Sequence, residues 1–157
     1  MQKITPCLWF DTEGEEAAQF YASIFPSSRI LETTRYGSAG PRAEGTVMTV
    51  LFELDGQRFV ALNGGPDFTF NEAVSFKVNC ETQEEVDAYW SKLSEGGEEG
   101  PCGWLKDKFG LSWQIVPSRL PELLNDPDKE KAQRVMAAML EMKKIDVPEL
   151  ERAAAGA

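Results

Sequence analysis

The sequence of 157 residues contains no histidine. This absence excludes Ser-His-Asp and Cys-His nucleophile systems, and it also excludes zinc or iron centres held by imidazole. General acid–base chemistry near neutral pH would need a Glu, Lys, Tyr or Cys whose pKa is shifted from its ordinary value. The composition therefore excludes more reaction types than it suggests.

Cysteine and long apolar runs are also scarce. Cys7, Cys80 and Cys102 are widely spaced and form neither a C-x-x-C pair nor a disulfide framework. The most apolar stretch, residues 47–54, contains Thr49 and Glu53 and is too short to span a bilayer. No signal-peptide core precedes the acidic run that starts at residue 11. We therefore expect a cytoplasmic protein with reduced thiols.

Positive charge is in deficit. The chain has 16 Lys and Arg against 26 Asp and Glu, a formal net charge of −10. Binding to nucleic acid or to an anionic membrane needs clustered positive charge, so the sequence predicts neither partner. With 42% hydrophobic residues, a chain of this length can bury a core without disulfides or a metal.

The first 63 residues predict a strand, a helix and three further strands. Thr12-x-x-Glu15 is a capping-box pattern that predicts the start of the helix, and Pro26 ends it. Asp55-Gly56 is typical of a hairpin turn. The predicted strands span residues 4–10, 29–36, 46–54 and 57–63.

The same pattern then restarts. A second capping box, Thr82-x-x-Glu85, follows a predicted strand over residues 74–80, and its helix ends at Gly96-Gly97. Strands over residues 98–106 and 111–117 flank the turn from Asp107 to Gly110. The repeat of about 70 residues favours a duplicated module over a solenoid. A chance likeness between two amphipathic helices is the alternative.

The segment after Pro117 is predicted to be helical. Its apolar side chains form a stripe, here called the tail stripe, which we expect to cover either its own sheet or a second subunit. The tail stripe consists of Val135, Met136, Met139, Leu140 and Met142.

Strand alternation selects the side chains that could reach a binding cavity. Helix-facing positions are apolar in the first, fifth and last strands, and the opposite positions are more polar in two of them. The candidate ligand-binding residues on these strands are Cys7, Trp9, Lys77 and Gln114. Outside them, the further candidates are Asn63, Phe68 and Trp104, which lies beside Gly103. Glu53 is the best available general base if the protein is an enzyme. The alternatives are a solvated sheet face, tryptophans in the core, and a carboxylate at the surface or in a dimer interface.

Several phrases of the sequence resemble one known family. They are ITPCLWFD, EEAAQFYASIFPSSRI, FELDGQRFVALNGGPDF, VNCETQEEVDAYW, GWLKDKFGLSWQIVP and the tail MLEMKKIDVPELE. They are similar to the PhnB-like branch of the vicinal oxygen chelate superfamily, which includes glyoxalase I, bleomycin-resistance proteins and extradiol dioxygenases. This branch is often labelled demethylubiquinone 3-methyltransferase.

The resemblance implies an α+β fold with paired βαβββ modules, a cavity inside a cupped sheet, and a homodimer. The expected divisions are residues 1–66 and 67–118 for the two modules and 119–157 for a helical C-terminal extension. The helical tail would then take part in dimer contacts.

The superfamily usually holds a divalent metal with His and Glu side chains from four strands. The corresponding positions here are residues 5–7, residues 73–75, Ala61 or Asn63, and Gln114. Neutral amides without imidazole or carboxylate support rarely hold a catalytic transition metal. We therefore predict no metal and no other cofactor.

The preferred functional hypothesis is a protein that binds a small, partly aromatic or amphipathic molecule without a metal. Whether it also catalyses a reaction is left open. The alternatives are a metal-dependent isomerase, lyase or dioxygenase, a methyltransferase as the family label states, and a dimeric interaction module without a ligand. The methyltransferase ranks low because no G-x-G-x-x-G loop is present.

Overall fold

The computed structural model describes all 157 residues, which divide into two units, residues 1–70 and 71–157. The first unit contains β1 (Cys7–Phe10), α1 (Gly14–Ile24), β2 (Arg29–Arg35), β3 (Val47–Leu54) and β4 (Gln57–Asn63). The second unit contains β5 (Ser75–Cys80), α2 (Gln83–Ser94), β6 (Glu98–Glu99), β7 (Trp104–Lys106), β8 (Ser112–Pro117), α3 (Arg119–Leu124), α4 (Lys129–Leu140) and α5 (Val147–Ala155).

Each unit has one four-stranded sheet of equivalent topology. The strand orders are β1-β4-β3-β2 and β5-β8-β7-β6, and in each sheet the first strand pairs in parallel with the last strand of its unit. The prediction of an α+β fold with two βαβββ modules and a helical extension is confirmed. None of the helices is long and apolar enough to cross a bilayer.

In the first unit, α1 packs on the face of the sheet that carries the alternating buried residues. Tyr21 of the helix is stacked on Phe52, with ring centroids 6.3 Å apart, and Phe52 is stacked on Phe59 at 5.5 Å. The first strand begins at Cys7 rather than at Ile4, whose side chain is exposed. The apolar residue before the strand therefore does not belong to the core.

The helix start predicted at Thr12 is wrong in two respects, the position of the N-cap and the group that caps it. The N-cap of α1 is Glu13, whose side chain makes no capping hydrogen bond. Instead the backbone N–H of Gly14 donates to Oδ1 of Asn63, at 2.8 Å. A Cβ at Gly14 would lie 2.7 Å from that oxygen, so the close approach requires glycine. By contrast, Thr82 caps α2 as predicted and accepts a hydrogen bond from the N–H of Glu85.

The strand predicted over residues 98–106 is broken into β6 and β7. Cys102 has φ of +56° and Gly103 has φ of +85°, which interrupt the extended backbone between the two pieces. Their N–H groups donate to the carbonyl oxygens of Met142 and Lys143, both at 2.8 Å. The break therefore lets the C-terminal extension bond to the edge of the second sheet.

The C-terminal extension has a core of its own. Val135 is fully buried, and Met139 and Met142 pack against the same cluster. The cluster consists of Leu120, Leu123, Val135, Ile145, Leu150 and Ala154. Of the tail stripe, Leu140 is 59% exposed. Most of the stripe is therefore covered within this chain by α3 and α5, with Val116 of β8 packed against the same cluster, and cover by a second subunit stays a prediction.

Candidate functional site

In the second unit, three of the predicted ligand-binding residues lie in one row across the sheet. Lys77 of β5 is the register partner of Gln114 of β8, and Gln114 is the register partner of Trp104 of β7. Directly paired residues project from the same face of a sheet, here the face opposite α2. Lys77 is exposed, whereas Gln114 and Trp104 are half-buried. We call these three residues the polar row.

Gln114 is held in place by a neighbour on the same face. Its Nε2 donates to Oγ of Ser75 on β5, at 2.9 Å. This contact uses one amide donor and orients the side chain across the sheet. The polar row therefore combines an ammonium group, an oriented amide and an indole, which are the elements of an ordinary site for a small organic molecule.

A second row lies beside the polar row and was not predicted. Ser112 pairs with Lys106 on β7 and with Ser75 on β5. Nζ of Lys106 lies 2.7 Å from Oε1 of Glu72. This ion pair lowers the pKa of Glu72 and raises that of Lys106, mainly through the hydrogen bond between them.

Ser112, Lys106 and Glu72 line a cleft of about 230 Å³ that also includes Trp104 of the polar row. Ser112 is 1% exposed, and its hydroxyl has no hydrogen-bond partner. The cleft residues are Glu72, Glu98, Glu99, Gly100, Pro101, Trp104, Leu105, Lys106 and Ser112. A hairpin signal was available for this site, since the turn at Asp107–Gly110 pairs residue 106 with residue 112.

In the first unit, Trp9 and Phe68 form an aromatic pair with ring centroids 4.9 Å apart. Trp9 Nε1 donates to the carbonyl oxygen of Gly65 at 2.9 Å, and a Cβ at Gly64 would lie 2.4 Å from the indole ring. The indole is thus half-buried against the glycine turn, and Phe68 covers its edge while remaining 64% exposed. The pair is an accessible aromatic surface.

Asn63 occupies a structural position. Its Oδ1 accepts from Gly14, and its Nδ2 donates to the carbonyl oxygen of Val47 at 3.2 Å. The residue is 7% exposed. Both ends of the amide are therefore already bonded within the first unit, and hydrogen bonding to a ligand would have to compete with these contacts.

Glu53, the candidate general base, and Cys7, a candidate ligand-binding residue, do not belong to the polar row or to the cleft. Oε2 of Glu53 lies 3.2 Å from Nε of Arg29, its register partner on β2. The Cys7 thiol is on β1, and desolvation raises its pKa. A raised pKa reduces the thiolate population, which is unfavourable for a nucleophile. The Glu53 carboxylate is thus occupied by an ion pair with Arg29.

A larger cleft of about 480 Å³ lies at the start of α1 and was also not predicted. Asp11, Glu13, Glu15 and Glu16 line it, with Arg42 as the guanidinium among them. Arg42 lies 3.4 Å from Oδ1 of Asp11. The cleft is therefore acidic, and the guanidinium of Arg42 is the positive charge within it.

The donor set does not fit the metal that the superfamily implies. No group of three or more His, Cys, Asp or Glu side chains is arranged to hold a metal ion. At the corresponding positions, the amide oxygen of Asn63 is bonded to α1, and Gln114 offers only a neutral oxygen. No chemical step through a metal follows from these residues.

The comparisons with known proteins agree with this architecture. The family described as 3-demethylubiquinone-9 3-methyltransferase matches residues 2–116. A PhnB protein from Bacillus cereus that carries the same description is 40% identical, with a TM-score of 0.67, over 74% of this chain and 100% of that chain. None of the curated proteins matches.

Two more distant structures share the fold. Protein PA1353 from Pseudomonas aeruginosa is 18% identical with a TM-score of 0.62, over 74% of this chain and 98% of that one. The fosfomycin resistance protein FosX from Listeria monocytogenes, complexed with Mn(II) and sulfate, is 14% identical with a TM-score of 0.54, over 79% and 97%. The chain therefore belongs to the 3-demethylubiquinone-9 3-methyltransferase family, which agrees with the PhnB-like resemblance of its sequence.

Proposed function

We propose that this protein binds a small organic molecule through the polar row, without a metal ion between protein and ligand. The observation that carries the proposal is the register that brings Lys77, Gln114 and Trp104 from three strands onto one face. An indole supplies apolar area, and the amide and the ammonium supply directional and charged contacts. A few polar groups beside aromatic surface are typical of small-molecule sites.

Metal independence is supported by the donor chemistry. The chain has no imidazole, and the position of the usual carboxylate holds Gln114, whose amide is hydrogen-bonded to Ser75. A neutral amide does not offset the charge of a dication. We therefore expect hydrogen bonds from the ligand itself to Gln114.

The test is an NMR titration of ¹⁵N-labelled protein with fragment-sized aromatic amines, acids and neutral compounds, each with and without EDTA. We expect at least one compound to shift the NMR resonances of the Gln114 side-chain amide in a saturable way. EDTA should leave the affinity of the protein for that compound unchanged. Gln114→Ala should weaken binding, and Gln133→Ala, an exposed glutamine on α4, should not.

Two results would contradict the proposal. The first is that no compound of any charge shifts the polar row. The second is elemental analysis that finds about one equivalent of a transition metal per chain in the wild type and none in Gln114→Ala.

The family description supplies a rival activity, methyl transfer. The chain has no Gly-rich loop of the type that most such enzymes use, and its sheets are not doubly wound. Saturable micromolar binding of S-adenosylmethionine would favour that activity over the present proposal.

A further inference from the structure

We propose that the cleft beside the polar row is a subsite for the cationic amine end of the ligand. The inference rests on the proposed function and specifies the chemical class of the molecule bound. It is drawn from the charges that line the cleft, from the hydroxyl of Ser112, and from the ammonium group that occupies the cleft edge.

The charges around the cleft favour a cation. Two carboxylates, those of Glu72 and Glu98, stand beside the single ammonium of Lys106 among the residues that line it. Glu98 is the register partner of Lys106. Glu99 also borders the cleft, but its Oε1 accepts a hydrogen bond from Trp90 Nε1 of α2, at 2.6 Å, so its carboxylate is not counted here. A concave surface with an excess of one charge raises the local concentration of the opposite charge, so an anion would be disfavoured here.

Ser112 provides an acceptor within the cleft. Its hydroxyl is buried and has no partner, although buried polar groups are nearly always hydrogen-bonded. Its oxygen can accept an N–H from an amine. This separate observation distinguishes the cleft from a chance cluster of surface acids.

Lys106 shows that an ammonium group fits this position. Its Nζ lies 2.7 Å from Oε1 of Glu72, at the rim of the cleft. A ligand amine would share the same carboxylates, so Lys106 acts as a competitor built into the chain. Removal of its charge should therefore strengthen amine binding, whereas it would abolish the binding of an anion.

Trp104 and Pro101 supply the apolar wall of the cleft. An indole face attracts a cation and also packs against an aromatic ring. The volume of about 230 Å³ suits an ammonium and part of a ring, and the rest of the ligand would extend along the polar row. The expected ligand class is a small arylalkylamine.

The experiment uses 2-phenylethylamine as the probe and 3-phenylpropionate as its anionic counterpart, with the Trp104 indole resonance as the readout. We expect the amine to shift this resonance saturably. Ser112→Ala should weaken amine binding about fivefold through the lost hydrogen bond. Lys106→Met should tighten it by about fivefold. Lys92→Met, an exposed lysine on α2, is the matched control and should change nothing.

The fold should survive these substitutions, because Ser112→Ala removes a buried hydroxyl that has no partner. Glu98 is exposed, so Glu98→Gln should also leave the fold intact, and this second variant should weaken amine binding as well. The inference is overturned if the amine gives no saturable shift of Trp104, or if 3-phenylpropionate binds there and Lys106→Met abolishes its binding. If other compounds still shift Gln114 in that case, the subsite assignment fails while the proposed function stands.

Discussion

Asp107 is expected to be a major determinant of the stability of the second unit. The residue is 3% exposed, and its carboxylate accepts three hydrogen bonds. Oδ1 accepts from the N–H groups of Phe109 at 2.8 Å and Leu111 at 3.1 Å. Oδ2 accepts from Trp113 Nε1 at 2.9 Å. One carboxylate thus fixes both the turn after β7 and the indole on β8.

Asp107→Asn preserves size and removes one acceptor. Whichever way the new amide is oriented, its NH₂ faces an N–H donor, either the indole of Trp113 or the two backbone groups. We expect the free energy of unfolding to fall by about 2 kcal/mol, the value for a lost hydrogen bond to a charged group plus a buried donor left unpaired. Urea unfolding followed by far-UV circular dichroism measures this change.

A double-mutant cycle with Trp113→Phe isolates the indole bond. In the Phe background the amide introduced by Asp107→Asn no longer opposes an indole N–H, so the effect of this substitution should fall below ~1 kcal/mol. Asp55→Asn, in an exposed turn, is the control and should stay within about 0.5 kcal/mol of wild type. An equal effect of Asp107→Asn in both backgrounds would refute the reasoning.

Further outcomes are expected for Asn63, for Cys80 and for the oligomeric state. Asn63→Ala should lower the free energy of unfolding by about 2 kcal/mol, measured in urea, because it leaves Gly14 N–H and Val47 C=O without their partner; a change near zero would contradict the capping role. Burial, with a smaller contribution from Glu85, raises the pKa of Cys80 to about 11. In peptide mapping at pH 8, the buried Cys80 thiol should therefore react with iodoacetamide more slowly than Cys7, which is exposed although desolvation also raises its pKa. Because folding raises this pKa from 9.0, the neutral thiol stabilises the folded state below pH 9, and this stabilisation is lost as the pH rises towards 11. In Cys80→Ala, the free energy of unfolding should not show this decrease between pH 9 and 11. Sedimentation velocity at micromolar concentration should find a homodimer, as the family resemblance implies, and a monomer would contradict this prediction.

The sequence predicted the strands and their faces well because alternation is a local property. Residues such as Ser112 and Gln114 can be assigned to one face from their spacing alone. The pairing of Lys77 with Gln114 depends on a parallel contact between β5 and β8, which lie far apart in the chain. Local patterns do not determine such a register. The sequence therefore identified each residue of the polar row as a candidate, but it did not predict that the three residues are neighbours in the sheet.

Asn63 illustrates a different limit. A capping motif at Thr12 satisfies the local rule for a helix start, yet the structure uses an amide from the end of β4. The choice depends on how closely α1 approaches the sheet, which Gly14 permits. A residue predicted to face a ligand thus has a structural task that only the tertiary contact reveals.

The amphipathic tail shows a third limit. An apolar stripe indicates that a helix has a partner without identifying that partner. Here the partner is the rest of the extension, through Leu120, Ile145 and Leu150. The argument that the stripe requires a second subunit therefore fails, and the expectation of a homodimer rests on the resemblance alone.

The same tail supports one wall of the cleft. The match to the family ends at residue 116, but residues beyond it bond to the segment that precedes Trp104. Gln83 on α2 donates to the carbonyl oxygen of Ile145 and accepts from Val147 N–H, so the tail is joined to the helix as well as to the sheet edge. The position of Trp104 thus depends on contacts outside the matched region. The ligand preference should accordingly be measured on the full chain, because removal of the residues after β8 would remove the hydrogen bonds that hold the segment before Trp104.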